Sequence, residues 1–205
     1  MKTPVIPGYE VLTVEGPPQG KWTYADWEKL GADDDNRYEI INGYLYMTTA
    51  PSFFHQSIIL DFYDLVGAPA KQQGLARVAL APVGLLMPGC DPVQPDFVLI
   101  LKEHESIIHD GRIRGVPDLI VEVLSPGSVD YDEGVKLEAY ANAGVPEYIV
   151  IAPRERKLRL YSLEHPGKYA DPHEFTGDDL VKFACLPAIE FRLSTLFENA
   201  PDTTV

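Results

Sequence analysis

Pro117-Asp118-Leu119-Ile120-Val121-Glu122-Val123-Leu124-Ser125 is the stretch whose reading decides the fold. From Leu119 to Leu124 it is a short apolar run with the residue types of a strand, entered through Pro-Asp and left through Ser125-Pro126. Glu122 interrupts it. Burying an ionised carboxylate costs several kcal/mol or more unless it is paired or bound to a cation. Upstream, Pro95-Asp96-Phe97-Val98-Leu99-Ile100 repeats the theme, with Asp96 at the head of another apolar strand. Downstream, Asp132-Glu133-Gly134-Val135-Lys136-Leu137 puts a lysine on the next helix. Two acids in two apolar strands point to a sheet that holds a divalent metal.

Working outward, residues 1–20 are rich in Pro and Gly without a period and read as a loosely ordered arm, leaving 21–200 as a single domain. Trp22 to Leu30 reads as a short helix opened by Thr23. Tyr38 to Met47 is a hairpin, because Asn42-Gly43 supplies the positive φ angles of a tight turn between two apolar runs. Pro51-Ser52 starts a helix whose stripe is Phe54, Ile58, Phe62 and Leu65, widened by Ile59 and Val66. Three extended runs follow at 75–81, 83–87 and 93–101. Asp130 to Ala143 is helical and stops at Gly144, with Pro146 just beyond. Glu147 to Ala152 and Lys157 to Leu163 make a strand pair, and the tail adds further strands and a helical turn near Leu196. This order predicts an α/β chain with a mixed sheet and a helix on each face.

Alternation along a strand puts Asp96, Val98 and Ile100 on one face, and Ile120, Glu122 and Leu124 on one face of theirs. If those strands are neighbours, both carboxylates can converge on one hard cation. Two carboxylates, a backbone carbonyl (that of Val123) and waters are the ligand set that Mg²⁺ prefers. Such an ion polarises a phosphodiester and activates water, and a nearby lysine orients that water or neutralises charge on the phosphate. The structural alternatives are that Asp96 caps a turn after Pro95, that Glu122 pairs with a buried base, and that Lys136 makes an i,i+4 ion pair with Asp132.

The local sequence resembles the PD-(D/E)xK nuclease superfamily, and within it the Uma-type putative restriction endonuclease family. The resemblance rests on Tyr38-Glu39-Ile40-Ile41-Asn42-Gly43, on Pro51 with His55, and on Pro95-Asp96. Its most specific part runs from Val116 to Pro126 and on through Lys136, Tyr140 and Gly144-Val145-Pro146-Glu147-Tyr148. It implies a restriction-endonuclease-like mixed β-sheet core flanked by helices, with an N-terminal β-hairpin. It also implies Mg²⁺-dependent cleavage of DNA, with Mn²⁺ as a substitute, and a site of Asp96, Glu122, Lys136, Glu39 and His55. One departure stands out. The superfamily places a lysine two residues after the glutamate, where this chain has Leu124, so the amine must come from the helix as Lys136.

From the residues alone, a solvent-facing hairpin acid is the commoner reading of Glu39, and for His55, one position off its helix stripe, the commoner reading is a hydrogen-bonded histidine beside a core face. Asp118 fixes the turn into its strand, Ser125 ends it, and Tyr140 packs its ring on the Lys136 stem. Arg154, Arg156, Lys157 and Arg159 form a basic cluster, with Arg112 and Arg114 in an earlier loop. Balancing a surface rich in Asp and Glu is the simpler role for both groups.

Bulk composition limits the choices. In 205 residues, 45% are hydrophobic and 23% charged, enough for one core and ordinary for a folded chain. No apolar run reaches the ~18 residues of a membrane span, and the start lacks a signal peptide's apolar core. Two cysteines, Cys90 and Cys185, suggest neither a disulfide framework nor a zinc site, so a cytoplasmic protein with reduced thiols is expected. Net charge is −14, the reverse of a typical nucleic-acid protein. The leading expectation is an endonuclease acting on DNA, working as a homodimer if it cuts both strands. The alternative is a catalytically silent nuclease fold used for protein contact or self-association, and a third is a structural protein with two unrelated buried acids.

Overall fold

The computed structural model describes residues 2–4, 13–30, 37–48, 50–125 and 128–200. In chain order, β1 (Lys2–Pro4) and β2 (Thr13–Glu15) pair with each other, and the short helix α1 (Tyr24–Trp27) follows. The rest of the 1–20 arm that lies between those two strands is outside the described residues. Then come β3 (Arg37–Ile41) and β4 (Tyr44–Thr48), turned by Asn42 and Gly43 at φ 51° and 78°, as the sequence predicts. Helix α2 (Phe53–Phe62) runs on through a π turn at Tyr63–Gly67 into α3 (Ala68–Gln72). After it lie β5 (Ala76–Leu80), β6 (Leu85–Met87), β7 (Cys90–Val93) and β8 (Phe97–Leu101). The polar segment after β8 is a 3-10 helix followed by β9 (Ile108–His109) and β10 (Arg112–Arg114).

The deciding stretch is β11 (Leu119–Val123). It is followed by a π turn at Tyr131–Lys136 and α4 (Leu137–Ala143), and then by β12 (Glu147–Ala152) and β13 (Lys157–His165). The tail contributes β14 (Lys168–Tyr169), β15 (His173–Thr176), β16 (Leu180–Lys182), β17 (Glu190–Arg192) and α5 (Leu193–Leu196).

The main sheet has the order β14-β13-β12-β11-β8-β5, with β15 also on β13. β11 and β12 are parallel and joined by the α4 crossover, while β8 and β13 flank them antiparallel. Each face carries a helix. On one, Ile58, Ile59, Phe62 and Val66 of the α2 segment meet Phe97, Leu99, Leu119, Val121 and Val123. On the other, Tyr131, Ala139 and Tyr140 of the α4 segment meet Val98, Ile100, Ile120, Tyr148 and Val150. The second sheet, β4-β3-β7-β6-β10-β9, shares that second core through Ile41, Leu85, Met87 and Ile113. The fold is thus the expected mixed α/β core between helices. No helix among the described residues is long and apolar enough to cross a membrane.

The α2 stripe departs from its sequence reading. Ile58, Ile59 and Phe62 are buried as expected, but Phe54 is 47% exposed. Position 55 takes its inward place, and His55 reaches a polar partner there, its Nε2 3.0 Å from Asp96 Oδ2. Gly144 ends α4 at φ 92°, the left-handed region that an L side chain resists. A Cβ there meets nothing within 4 Å, so the cost of a side chain is purely one of backbone. Gly144→Ala is expected to lower unfolding free energy by about 1 kcal/mol in a urea titration.

Candidate active site

The β8–β11 register pairs Leu99 with Leu119, Val98 with Ile120 and Phe97 with Val121. One step further along the same register, Asp96 stands across from Glu122. Both point to the face of Val98, Ile100 and Ile120, which the alternation predicted. The ladder stops there, and the next inter-strand bond is made by a side chain: the Val123 N–H donates to Asp96 Oδ2 at 2.9 Å. Val123 therefore lies against Asp96 through its backbone. Asp96 and Glu122 are only 5% and 3% exposed.

Lys136 enters from the π turn ahead of α4. Its Nζ lies 2.8 Å from Glu122 Oε1, 3.4 Å from Asp132 Oδ1 and 3.5 Å from Glu39 Oε2. The i,i+4 pair with Asp132 and the contact with Glu122 are therefore not alternatives; the ammonium makes both. π turns inside helices re-aim side chains and are frequent at functional sites. Glu39 is buried and shares the inward face of β3 with Ile41, while Tyr38 and Ile40 pack on Trp22, Leu45 and Met47. Its Oε1 accepts from the Gln94 N–H at 2.5 Å, and its Oε2 accepts from the Tyr131 hydroxyl at 2.9 Å. From α2, on the opposite face, His55 sets Nε2 3.0 Å from Asp96 Oδ2. That contact has ion-pair length but not hydrogen-bond alignment, and both ring nitrogens are buried without a hydrogen-bond partner among the described residues.

All five residues expected at the site are brought together. Two more belong with them. Asp132 adds a fourth buried carboxylate, and the Tyr131 ring, 5.0 Å from Lys136 Nζ, provides the aromatic contact expected of Tyr140. Tyr140 instead donates its hydroxyl to Glu122 Oε1 at 3.0 Å. The remaining expectations separate from the site. Asp118 accepts from the Leu101 N–H and meets His104, which fixes its strand. The Ser125 N–H donates to Ser128 Oγ, and Pro126 lies outside the described residues. In the basic cluster Arg159 is spent on Glu133, Glu155 and Glu174, and Lys157 on Glu174. Arg112 and Arg114 sit over the Tyr24 ring.

Four carboxylates share one ammonium, since Lys136 is the one buried lysine or arginine among the described residues. Burial alone would lower the lysine, but Glu122, then Glu39, Asp132 and Asp96, outweigh it and hold it well above its ordinary value. Burial would raise Asp96, yet His55, Lys136 and the Val123 amide bring it below the usual aspartate range. Glu122 ends on the other side. Desolvation, reinforced by Asp96, Asp132 and Glu39 and opposed by Lys136, pushes it well above an ordinary glutamate.

This surplus of buried negative charge suits a hard dication. Among the described residues no three His, Cys, Asp or Glu side chains form a ready-made metal cage. Mg²⁺ does not need one, because it is typically held by one or two carboxylates plus water and substrate oxygens. Glu122 Oε2 and Asp96 Oδ1 accept no hydrogen bond among the described residues, so each acid keeps an oxygen for such an ion.

Among solved structures, the fold is similar to that of a putative nuclease belonging to DUF820 from Anabaena variabilis. The TM-score is 0.72 at 19% identity, over 86% of this chain and 98% of that one. The comparison with curated proteins gives no match. The family model Uma2, described as a putative restriction endonuclease, matches residues 23–195. That span takes in β3, α2, β8, β11 and the π turn before α4, every element that contributes a side chain to the acidic cluster. The chain belongs to the Uma2 putative restriction endonuclease family.

Proposed function

We propose that this chain is an Mg²⁺-dependent endonuclease that hydrolyses DNA phosphodiester bonds, with Mn²⁺ as a substitute. The observation that carries this reading is the pairing of Asp96 with Glu122 across adjacent strands, with Lys136 Nζ 2.8 Å from Glu122. Asp96, Glu122 and the Val123 carbonyl would hold the ion. When bound, a hard dication polarises the scissile phosphate and acidifies water.

The chain's own groups do the rest. Lys136 stays charged throughout the neutral range, because its carboxylate partners hold its pKa up, so it can orient the attacking water and offset charge growing on the phosphate. Tyr140 donates to the same Glu122 oxygen as Lys136, which fixes the carboxylate and turns its other oxygen toward a ligand. His55 Nε2, beside Asp96, is placed to hold or pass a proton. Glu39 acts through Lys136 and Tyr131 and positions both. Cutting both strands of a duplex would call for a two-fold dimer of this chain.

A second reading, a silent nuclease fold that serves protein contacts, draws on the −14 charge, which repels a polyanion. Metal titration followed by thermal melting separates the two. Saturating Mg²⁺ or Mn²⁺ at a hundred times Kd should add about 2.7 kcal/mol. For a domain of this size that is a rise of about 5–10 °C in Tm. The rise should shrink as pH falls, because Glu122 with its raised pKa takes up a proton and competes with the ion. An unchanged Tm at every pH would favour the silent fold.

A further inference from the structure

Tyr148, on β12, is fully buried and carries a hydroxyl into the core beside the acidic cluster. A buried tyrosine hydroxyl needs a partner, and this one donates to the backbone carbonyl of Asp132 at 3.0 Å. Asp132 belongs to the π turn Tyr131–Lys136, in which i→i+5 spacing replaces the i→i+4 bonds of an α-helix. The same residue is held from its other side, where its N–H donates to the Ser128 carbonyl at 2.8 Å. The Tyr148 ring has little freedom, its centroid lying 5.1 Å from that of Tyr140, 5.9 Å from Tyr161 and 6.2 Å from Tyr169.

We infer that Tyr148 is a positioning residue, whose hydroxyl fixes the π turn at the height where Lys136 meets Glu122. The inference rests on the nuclease reading above, in which Lys136 acts at the reacting atoms. Strand register suits Tyr148 to the task. β12 pairs with β11 so that Tyr148 stands opposite Ile120 and Val150 opposite Glu122. Tyr148 and Val150 are two residues apart, so Tyr148 and Glu122 project from one face of the same sheet. A hydrogen bond from that face to Asp132 sets the spacing between sheet and turn, and Lys136 follows one turn later. Its Nζ, 2.8 Å from Glu122 Oε1 and 3.4 Å from Asp132 Oδ1, spans the gap so defined. Tyr140 braces the other side: its ring meets Tyr148 edge to face, and its hydroxyl donates to the same Glu122 oxygen.

The molecule supplies its own control. Tyr169 belongs to the same aromatic cluster and also donates its hydroxyl to a backbone carbonyl at 3.0 Å, but to that of Val145, beyond the end of α4. Tyr148→Phe and Tyr169→Phe each remove one oxygen and keep the ring, so both full-length variants should fold with similar small losses in Tm. Two readouts separate them. In metal-free protein the ¹⁵N NMR resonance of the Lys136 ammonium should move in Tyr148→Phe and stay in place in Tyr169→Phe. With Mg²⁺ and plasmid DNA, Tyr148→Phe should lower kcat by about tenfold to a hundredfold with KM unchanged, the scale set by a misplacement of about 1 Å. Tyr169→Phe should cut like wild type. A Tyr148→Phe protein with the wild-type ammonium resonance and kcat overturns the inference and leaves the nuclease reading intact. An equal loss of kcat in both variants also overturns it, in favour of a general loosening of the aromatic cluster. A wild type that cuts no nucleic acid overturns the nuclease reading, and the ammonium resonance then decides by itself whether Tyr148 places Lys136.

Discussion

Asp96→Ala and Glu122→Gln should each reduce metal-dependent nicking of plasmid DNA by about a hundredfold to a thousandfold, the scale of losing one preorganised electrostatic group. The two substitutions fail for different reasons. Asp96→Ala removes a donor oxygen and also leaves the Val123 N–H and the His55 ring without their partner. Some loss of stability is therefore expected with the loss of activity. Glu122→Gln keeps the shape and still accepts from Lys136 and Tyr140, but removes the charge a dication needs. Its fold should be at least as stable as wild type at neutral pH. The sign follows from linkage: an acid whose folded pKa is raised binds more protons folded than unfolded, so stability falls as pH climbs above the ordinary glutamate value. Removing the titration removes that loss. Cleavage retained in both variants would sink the assignment of the metal ligands, whatever the melting curves show.

Much of this arrangement is legible in the sequence because strands obey a period of two. Once Asp96 and Glu122 are read as interruptions of apolar strands, alternation puts them on the faces of Val98 and Ile120. Adjacency is not written in the local sequence; it comes from the pairing of β8 with β11, which depends on the whole sheet. The resemblance to a family identified Lys136, but a helical period does not, because the π turn over Tyr131–Lys136 shifts which side chains face inward. For the same reason Asp132 and Tyr131 pass as an ordinary first turn. Glu39 and His55 are ambiguous in the sequence for a physical reason: each faces inward against polar and charged partners, where hydrophobic periodicity carries no signal. The Cys90–Val93 strand falls mostly between the 83–87 and 93–101 runs, where Gly89 and Pro92 interrupt the apolar sequence. Its ladder to β3 has a single partner position, Ile41 with Cys90, so a proline nearby is tolerated.

Lys136→Met should destabilise the fold by about 3–5 kcal/mol at pH 8, the typical cost of removing one partner from a buried ion pair. Here the cost falls on the acids. Methionine fills the space of the lysine stem, so little is lost in packing, but Glu122, Glu39 and Asp132 lose their shared cation. The wild-type contribution of Lys136 is flat across the neutral range: a base whose folded pKa is raised contributes fully below its unfolded pKa and loses that only at strongly alkaline pH. The variant should behave differently. With the ammonium gone, the Glu122 and Asp132 carboxyls, already raised by burial and held back by Lys136, rise further, and the folded state gains affinity for protons that the unfolded chain lacks. Its stability should therefore improve steadily from pH 8 toward pH 5, which urea titrations at the two values would measure. Adding Glu122→Gln to Lys136→Met should recover a substantial part of the loss, because it removes the acid that leans most on the lysine. A Lys136→Met protein as stable as wild type at pH 8, with no dependence on pH, would mean that the acids of this cluster are already neutral or hydrated. The cluster would then lack the surplus negative charge on which the proposed metal site rests.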